Sequence, residues 1–415
     1  MSLKSQTRSR WIPALLILLS VLTAAMLLVA LGVMFDLLPG WARNISGSAG
    51  LTLATPNKIL PILSSIVGFT FIFTIFRRFA KKGGLHLLMW GIGLVFFATG
   101  SFTEALHGQL GWHNPIFRFW YLFGAVLIAA WMGQGTMHLL AKKRTAMIFL
   151  VILVVGSIYA TVKVMSAHLE PILLASAVET IEVEPGFEAD EVLRLTAGLM
   201  NQTALDETGQ VNRRKLTPLT RAVAEAAVDS GASIPEATVL GNQDVANLRG
   251  TVEGQAVVAG HAEWLQDQGV DPSALVAGAP GDANWELYVG IDGQPAARID
   301  LQPPIVFSGH VITTPGVRSL TPFFNTFGII LLIGGAIYSA WIFWRKGIMA
   351  NRAIGNLLIA GGAILGGGAS ASARFGMLTY LYVAELASLI LVFWGFIVAV
   401  RKSPGTYPGA EPDSD

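Results

Sequence analysis

Glu179-Thr-Ile-Glu-Val-Glu-Pro-Gly-Phe-Glu-Ala-Asp-Glu191 belongs to a polar block, Ser166 to Leu320, that a lipid bilayer would reject. A carboxylate at the centre of a membrane helix costs roughly 3 kcal/mol or more, and this stretch carries one at almost every second residue. Five long apolar runs precede the block and three follow it. The block is therefore an insert in a membrane protein, and the rest of the chain is read outward from it.

The composition agrees. The 415 residues are 53% hydrophobic with a mean hydropathy of +0.57, too apolar for a domain that has only water as solvent. With no cysteine, disulfides, thiolate metal sites and cysteine nucleophiles are excluded. The net charge of +1 conceals a strong asymmetry, because the insert holds 21 acidic and 8 basic residues and the membrane portion is correspondingly basic.

A bilayer core about 30 Å thick needs roughly 20 apolar residues of helix. Runs at 11–35, 59–76, 85–103, 117–140, 146–165, 323–344, 354–373 and 378–400 qualify, which makes about eight spans. The first follows Lys4, Arg8 and Arg10 and is too long for the core of a signal peptide, so it reads as an uncleaved anchor. Lysine and arginine resist translocation. With the N-terminus in the cytoplasm, the inner segments hold 15 of these residues and the outer ones five: Arg43, Lys58, Arg118, Lys163 and Arg374. The expected organisation is membrane helices at 1–165, an extracytoplasmic α+β domain at 166–320, further membrane helices at 321–402 and a disordered tail at 403–415. Both termini are then cytoplasmic, and the membrane is the bacterial plasma membrane.

Within the insert, Glu188–Met200 has helical periodicity. Thr217-Pro218 is a helix start, a capping hydroxyl followed by proline at the first helical position, in a run that ends at Gly231. Gly250-Thr-Val-Glu-Gly-Gln-Ala-Val-Val-Ala259 reads as two strands about a Glu253-Gly254 turn. A short helix from His261 stops at Gly269, and another begins at Asp271-Pro272. Trp285–Ile291 then turns at Asp292-Gly293 into 296–301, a second hairpin.

Residues 185–301 resemble the nucleotide-binding domain of heavy-metal P-type ATPases. The similar pieces are Glu191-Val-Leu-Arg-Leu-Thr-Ala197, Thr217-Pro-Leu-Thr-Arg-Ala-Val-Ala-Glu-Ala-Ala227, Arg249-Gly-Thr-Val-Glu-Gly-Gln-Ala-Val-Val-Ala-Gly260 and Trp264-Leu-Gln-Asp-Gln-Gly-Val270. The resemblance implies that fold. It also marks departures: Leu216 and Thr217 stand where the family has an adenine-contacting Glu-His, and Val245 and Asn247 where it has glycines that let the backbone approach ATP. Asp206-Glu-Thr-Gly209 lacks the lysine of the phosphorylated Asp-Lys-Thr-Gly motif and lies inside the domain. The expectation is a fold kept without its nucleotide chemistry, and no ATPase activity. The membrane portion, through Glu104-Ala-Leu-His-Gly-Gln-Leu-Gly-Trp-His-Asn-Pro115, Phe119-Trp-Tyr-Leu-Phe-Gly-Ala125, Gly133-Gln-Gly-Thr136 and Ile354-Gly-Asn-Leu-Leu-Ile-Ala-Gly-Gly362, resembles a family of bacterial multi-pass membrane proteins and brings no activity with it.

Ionisable side chains inside a span mark functional candidates. Glu385 stands about two turns into the last span, with Arg374 across a short connection as its counter-ion. Glu104 and His107 share a helix face at i, i+3. With Arg118, Arg374 and Glu385 they compose a candidate polar binding cluster under the insert; the alternative is an acid that merely locks the last two helices. One Glu-x-x-His pair is short of a metal ligand set. His86 and His138 at the inner ends, and His107 and His113 at the outer turn, raise a b-type haem, which takes two axial imidazoles. The roughly 31 Å of helix from His86 to His107 puts both pairs at the membrane edges instead. The seventh span, Gly361-Gly-Ala-Ile-Leu-Gly-Gly-Gly-Ala-Ser-Ala-Ser-Ala373, reads as close helix packing or as a substrate path. Trp41, Trp112, Trp120, Trp341 and Tyr380 read as interface anchors.

No phosphate-binding loop, nucleophile elbow, zinc-protease motif or nucleic-acid-binding stripe is present, so no catalytic residue is assigned. The expected function is non-enzymatic, sensing or accessory, with the outward domain binding a ligand or a partner subunit. The alternatives are a secondary transporter using Glu385 and the Gly-rich helix, and a haem- or metal-binding membrane protein.

Overall fold

The computed structural model describes residues 55–205, 217–240, 246–277, 285–304, 307–345, 350–373 and 378–401. Its helices are α1 (Thr55–Lys82), α2 (Leu85–Leu110), α3 (Asn114–Leu140), α4 (Lys143–Met165), α5 (Ala189–Thr203), α6 (Pro218–Asp229), α7 (Ala262–Asp267), α8 (Ser273–Ala277), α9 (Val317–Arg345), α10 (Ala350–Ala373) and α11 (Leu378–Val400). Six of them, α1 to α4, α9 and α11, are long and apolar enough to cross a bilayer, so this is a multi-pass membrane protein. Of the eight expected spans, 11–35 lies outside the described residues, as does the tail 403–415. Helix α10, 24 residues long, is present as well but is not among the six.

The outer face of α4 shows why lipid is required. Ile148, Val151, Ile152, Val155, Ile158 and Val162 are all more than half exposed, a continuous apolar stripe that water would not tolerate. Elsewhere the bundle closes on small residues. A Cβ on Gly100 of α2 would stand 2.8 Å from the Gly124 Cα of α3, and one on Gly133 of α3 would stand 2.8 Å from the Gly328 carbonyl of α9. Helices α10 and α11 meet in the same way, with Gly355 against the Gly395 carbonyl and Gly362 against Ser388 and Val392. That face of the Gly-rich helix is filled by its neighbour. Helices α3 and α9 each contain a π-helical stretch, Trp120–Leu127 and Ile330–Gly334. Asn325 of α9 donates to the Ala125 carbonyl at 3.1 Å, and Thr321 donates to the Tyr121 hydroxyl at 2.9 Å, so α9 is fastened to the first of these stretches.

The insert is an α+β domain on a six-stranded antiparallel sheet of order β1-β6-β5-β4-β3-β2, with β1 Val178–Val183, β2 Ala237–Val239, β3 Leu248–Val252, β4 Gln255–Gly260, β5 Glu286–Ile291 and β6 Gln294–Leu301. Helices α5 and α6 cover one face, burying Val192, Leu195, Leu199, Leu219 and Val223 against Leu248, Val257, Leu287, Val289 and Ile299. Leu265, Val270 and Leu275, from α7, α8 and the turn between them, cover Tyr288 on the other face. Both expected hairpins form. Glu253-Gly254 and Asp292-Gly293 take left-handed φ values of 50°, 88°, 49° and 80°, the geometry a two-residue hairpin turn needs. Thr217 caps α6 as expected, its hydroxyl accepting from Thr220 N at 3.1 Å. Strands β1 and β2 carry no signal in the sequence. β1 is an edge strand exposing Glu179, Thr180, Glu182 and Val183, so it has no apolar alternation, and β2 is only three residues long.

Both ends of the insert leave through one neck. Leu169 pairs with Ile312, Glu170 N donates to the Val311 carbonyl at 2.8 Å, and His168 N donates to Thr314 Oγ1 at 2.7 Å. Beyond it, Arg298 is 2% exposed and is held by Asp300, Glu182 and the Leu275 carbonyl. Tyr288 donates to Glu286 at 2.7 Å.

Two outcomes follow. Leucine at Gly362 should cost about 1–3 kcal/mol by overpacking, read as a lower thermal midpoint in detergent, whereas leucine at Gly361, which faces nothing within 4 Å, should be near neutral. Burial, reinforced by the bond to Glu286, holds the Tyr288 phenol well above the ordinary tyrosine value. A raised value stabilises the folded domain fully below the unfolded pKa, and this contribution is lost as pH rises through the folded one. Tyr288 is the only tyrosine between 166 and 320. The tyrosinate absorbance of a 168–314 fragment should therefore stay silent through the normal range and emerge together with unfolding.

Candidate functional site

Helix α2 ends at Gly111, whose φ of 77° lets its N–H return to the His107 carbonyl at 2.9 Å. Pro115 then starts α3. This tight turn sets Glu104 and His107 of α2 beside Trp112, Phe117 and Trp120.

The five candidate residues do not form one cluster. Glu104 and Glu385 do come together: Glu385 is bonded to Ser101, three residues before Glu104 on α2, and the two acids are near enough for their charges to interact. Trp120 Nε1 donates to Glu104 Oε1 at 2.8 Å, and Ser101 Oγ donates to Glu385 Oε1 at 2.8 Å. Glu104 is 7% exposed, and its Oε2 has no protein donor among the described residues. Tyr382, also buried, is close enough to feel both charges. Ser101 and Tyr382 stand three residues before Glu104 and Glu385 on the same helix faces, a spacing that could have flagged them.

His107 turns away toward the insert. Its Nδ1 lies 3.1 Å from the Gly111 carbonyl and its Nε2 3.0 Å from the Pro304 carbonyl; a neutral ring donates to one of these at a time. The ring stacks on Phe307 at 4.1 Å. Arg118 turns instead to the end of α4, donating to the Val164 and Ala167 carbonyls at 2.6 and 2.8 Å. A cation on the last turn of α4 meets the negative end of its dipole and satisfies carbonyls that have no helical partner. Arg374 lies outside the described residues.

Around His107 the aromatic residues form a collar. Phe307 contacts Trp112, Phe117 and Trp120 at centroid distances of 5.7, 5.6 and 5.2 Å, and Trp112 meets Trp285, next to β5, at 6.1 Å. Trp112 and Trp120 therefore join the insert to the bundle rather than anchoring in the lipid interface. Trp341, nearly half exposed beneath Arg345, keeps an anchor's position. Trp41 lies outside the described residues.

At the far end of the bundle His86 packs edge-on to Trp90 at 5.5 Å and is near enough to His138 for their charges to interact. His138 is held by Gln134, which donates to the Ala146 carbonyl. A small apolar hollow, lined by Phe71, Trp90, Met132, Leu332, Asn356 and Phe396 among others, lies away from the carboxyl pair. In the insert, Thr217 is occupied as a helix cap and Asn247 Oδ1 accepts from His261 N at 3.2 Å. Leu216, Val245 and Asp206 lie outside the described residues.

No family model matches the sequence, and no curated protein is similar to it. Among solved structures, similar chains are the N-domain of HMA6, a copper-transporting P-type ATPase (23% identity, 30% of this chain and 97% of that one, TM-score 0.24), and the N-domain of HMA8, another copper-transporting P-type ATPase (20% identity, the same coverage, TM-score 0.23).

Phe307 is 4% exposed at the centre of the collar. Phe307→Ala should lower stability by about 3–5 kcal/mol, and limited proteolysis should cut the two stems of the insert faster while the bundle stays intact.

Proposed function

We propose that this chain is an eight-span protein of the bacterial plasma membrane, with cytoplasmic termini and an outward domain that binds a ligand or a partner subunit. It acts as a receptor or an accessory subunit and not as an enzyme. The carrying observation is the aromatic collar. The insert does not swing on a loose tether but is seated on the bundle through Phe307, Trp112 and Trp285, so what it binds can bear on the helices beneath. Its surface away from the collar presents apolar groups, Val228 and Leu240, to solvent. In support of the orientation, Arg77, Arg78, Lys81, Lys82, Lys142, Lys143, Arg144 and Arg345 lie at the helix ends opposite the insert.

A secondary transporter is the second reading, favoured by the carboxyl pair between α2 and α11. Contact along the Gly355–Gly362 face of α10 is taken up by α11, so a path would run along the acids and not along that stripe.

Because the chain has no cysteine, any introduced thiol is a unique label. An impermeant maleimide should modify Glu263→Cys in intact cells and Lys142→Cys only after lysis; the reverse would invert the topology. A photo-crosslinking residue at Val228 or Leu240 should yield a discrete adduct in cells, whereas one at Ile152, facing lipid, should not. Absence of any adduct, together with loss of solute flux in a folded Glu385→Gln variant, would move the assignment to the transporter.

A further inference from the structure

Glu104 and Glu385 are the only acidic residues between 55 and 165 and between 321 and 401, and the bond from Ser101 of α2 to Glu385 of α11 brings Glu385 to the helical turn that precedes Glu104 inside the bundle. Each receives one donor from a neutral neighbour, Trp120 to Glu104 and Ser101 to Glu385. Those two donors answer one negative charge between them, not two. The remaining buried oxygen, Glu104 Oε2, has no donor among the described residues, and a carboxylate facing it has no hydrogen to offer. Two neighbouring carboxylates in a medium of low dielectric repel each other strongly.

No lysine or arginine among the described residues acts on either acid. Arg118 points to the end of α4, His107 faces Gly111 and Pro304, and Lys58, near the start of α1, acts on neither. From α11 the other titratable neighbour is Tyr382, and from α3 the side chain that meets Glu104 is the Trp120 indole, which does not titrate.

We propose that Glu104 and Glu385 form a proton-binding site within the membrane, holding one proton between Glu104 Oε2 and the Glu385 carboxyl. The bound state is a carboxylic acid donating to a carboxylate, with a net charge of −1. Release sends the proton to the aqueous phase and leaves two facing carboxylates at −2, which pushes α2 and α11 apart. Uptake from water reverses both changes. Because Trp120 touches both Glu104 and Phe307 of the insert's collar, the protonation state and the seating of the domain are mechanically linked. The site does not depend on what the outward domain binds.

The test is infrared difference spectroscopy of the full-length protein in nanodiscs. The wild type should show the carbonyl stretch of one protonated carboxylic acid at neutral pH, lost at alkaline pH with release of one proton per chain. Glu104→Gln and Glu385→Gln should each abolish it, because the introduced amide donates to the remaining carboxylate. Trp120→Phe keeps both acids and removes a donor from Glu104 Oε1, so the band should persist and move to higher wavenumber. It also keeps the proposal testable if a glutamine variant fails to fold. No band in the wild type, a band surviving both glutamine variants, a band unmoved in Trp120→Phe, or a band erased at constant pH by sodium or potassium (a metal cation in the proton's place) would each overturn the proposal.

Discussion

Hydrocarbon offers no hydrogen bonds, so every polar group of a membrane helix must find its partner within the protein. In the bundle that demand is met at short range wherever it can be: Ser65, Thr70, Thr74 and Thr99 return their hydroxyls to the carbonyl four residues earlier. For several other groups the tertiary structure supplies the partner, while Ser64 Oγ and Trp90 Nε1 have none among the described residues. Arg118 reaches the end of α4, Asn325 reaches the Ala125 carbonyl in the π-helical part of α3, and Asn356 donates to Ser339 across α10 and α9. The two acids are the extreme case, because among the described residues only two neutral donors, Trp120 and Ser101, bond to them. With polar partners so specified, the helices themselves approach through glycine, where dispersion contacts replace the hydrophobic effect that lipid does not provide.

The insert obeys the opposite rule. It is surrounded by water, turns its charge outward, and owes its shape to a core between one sheet face and two amphipathic helices. The two regimes meet at the collar, where aromatic rings suit a boundary that is apolar on one side and wet on the other. His107 fits the same place, since its edge bonds to backbone carbonyls while its face stacks on Phe307.

Legibility in the sequence tracked the range of the interaction. The Thr217 cap, the Pro218 start and the Glu253-Gly254 and Asp292-Gly293 turns are local events, and residue type reports them directly. β1 is held by β6 more than a hundred residues later, and its exposed, acid-rich sequence carries no sign of a strand. Glu104, His107 and Arg118 are close in sequence and were grouped for that reason, yet their side chains diverge to Glu385, Pro304 and Val164. The cost of charge in lipid singles out Glu385 in the sequence, and the spacing to His107 marks Glu104; that Glu385 reaches Ser101, beside Glu104, is a property of how the helices pack. Trp112 and Trp120 show the same limit, because an aromatic residue at a span end has the same composition whether it meets lipid or another domain.

The neck at Leu169 and Ile312 has a further consequence. Its two strands stand one backbone hydrogen bond apart, roughly 5 Å, so chain entry and exit are nearly coincident. The inserted domain is thus a cassette: it can be gained, exchanged or deleted through a single short splice without re-threading any helix. Inheritance of the bundle and of its cargo can then follow separate histories, and a lineage that lost the cargo would betray the event by a missing aromatic partner at position 307.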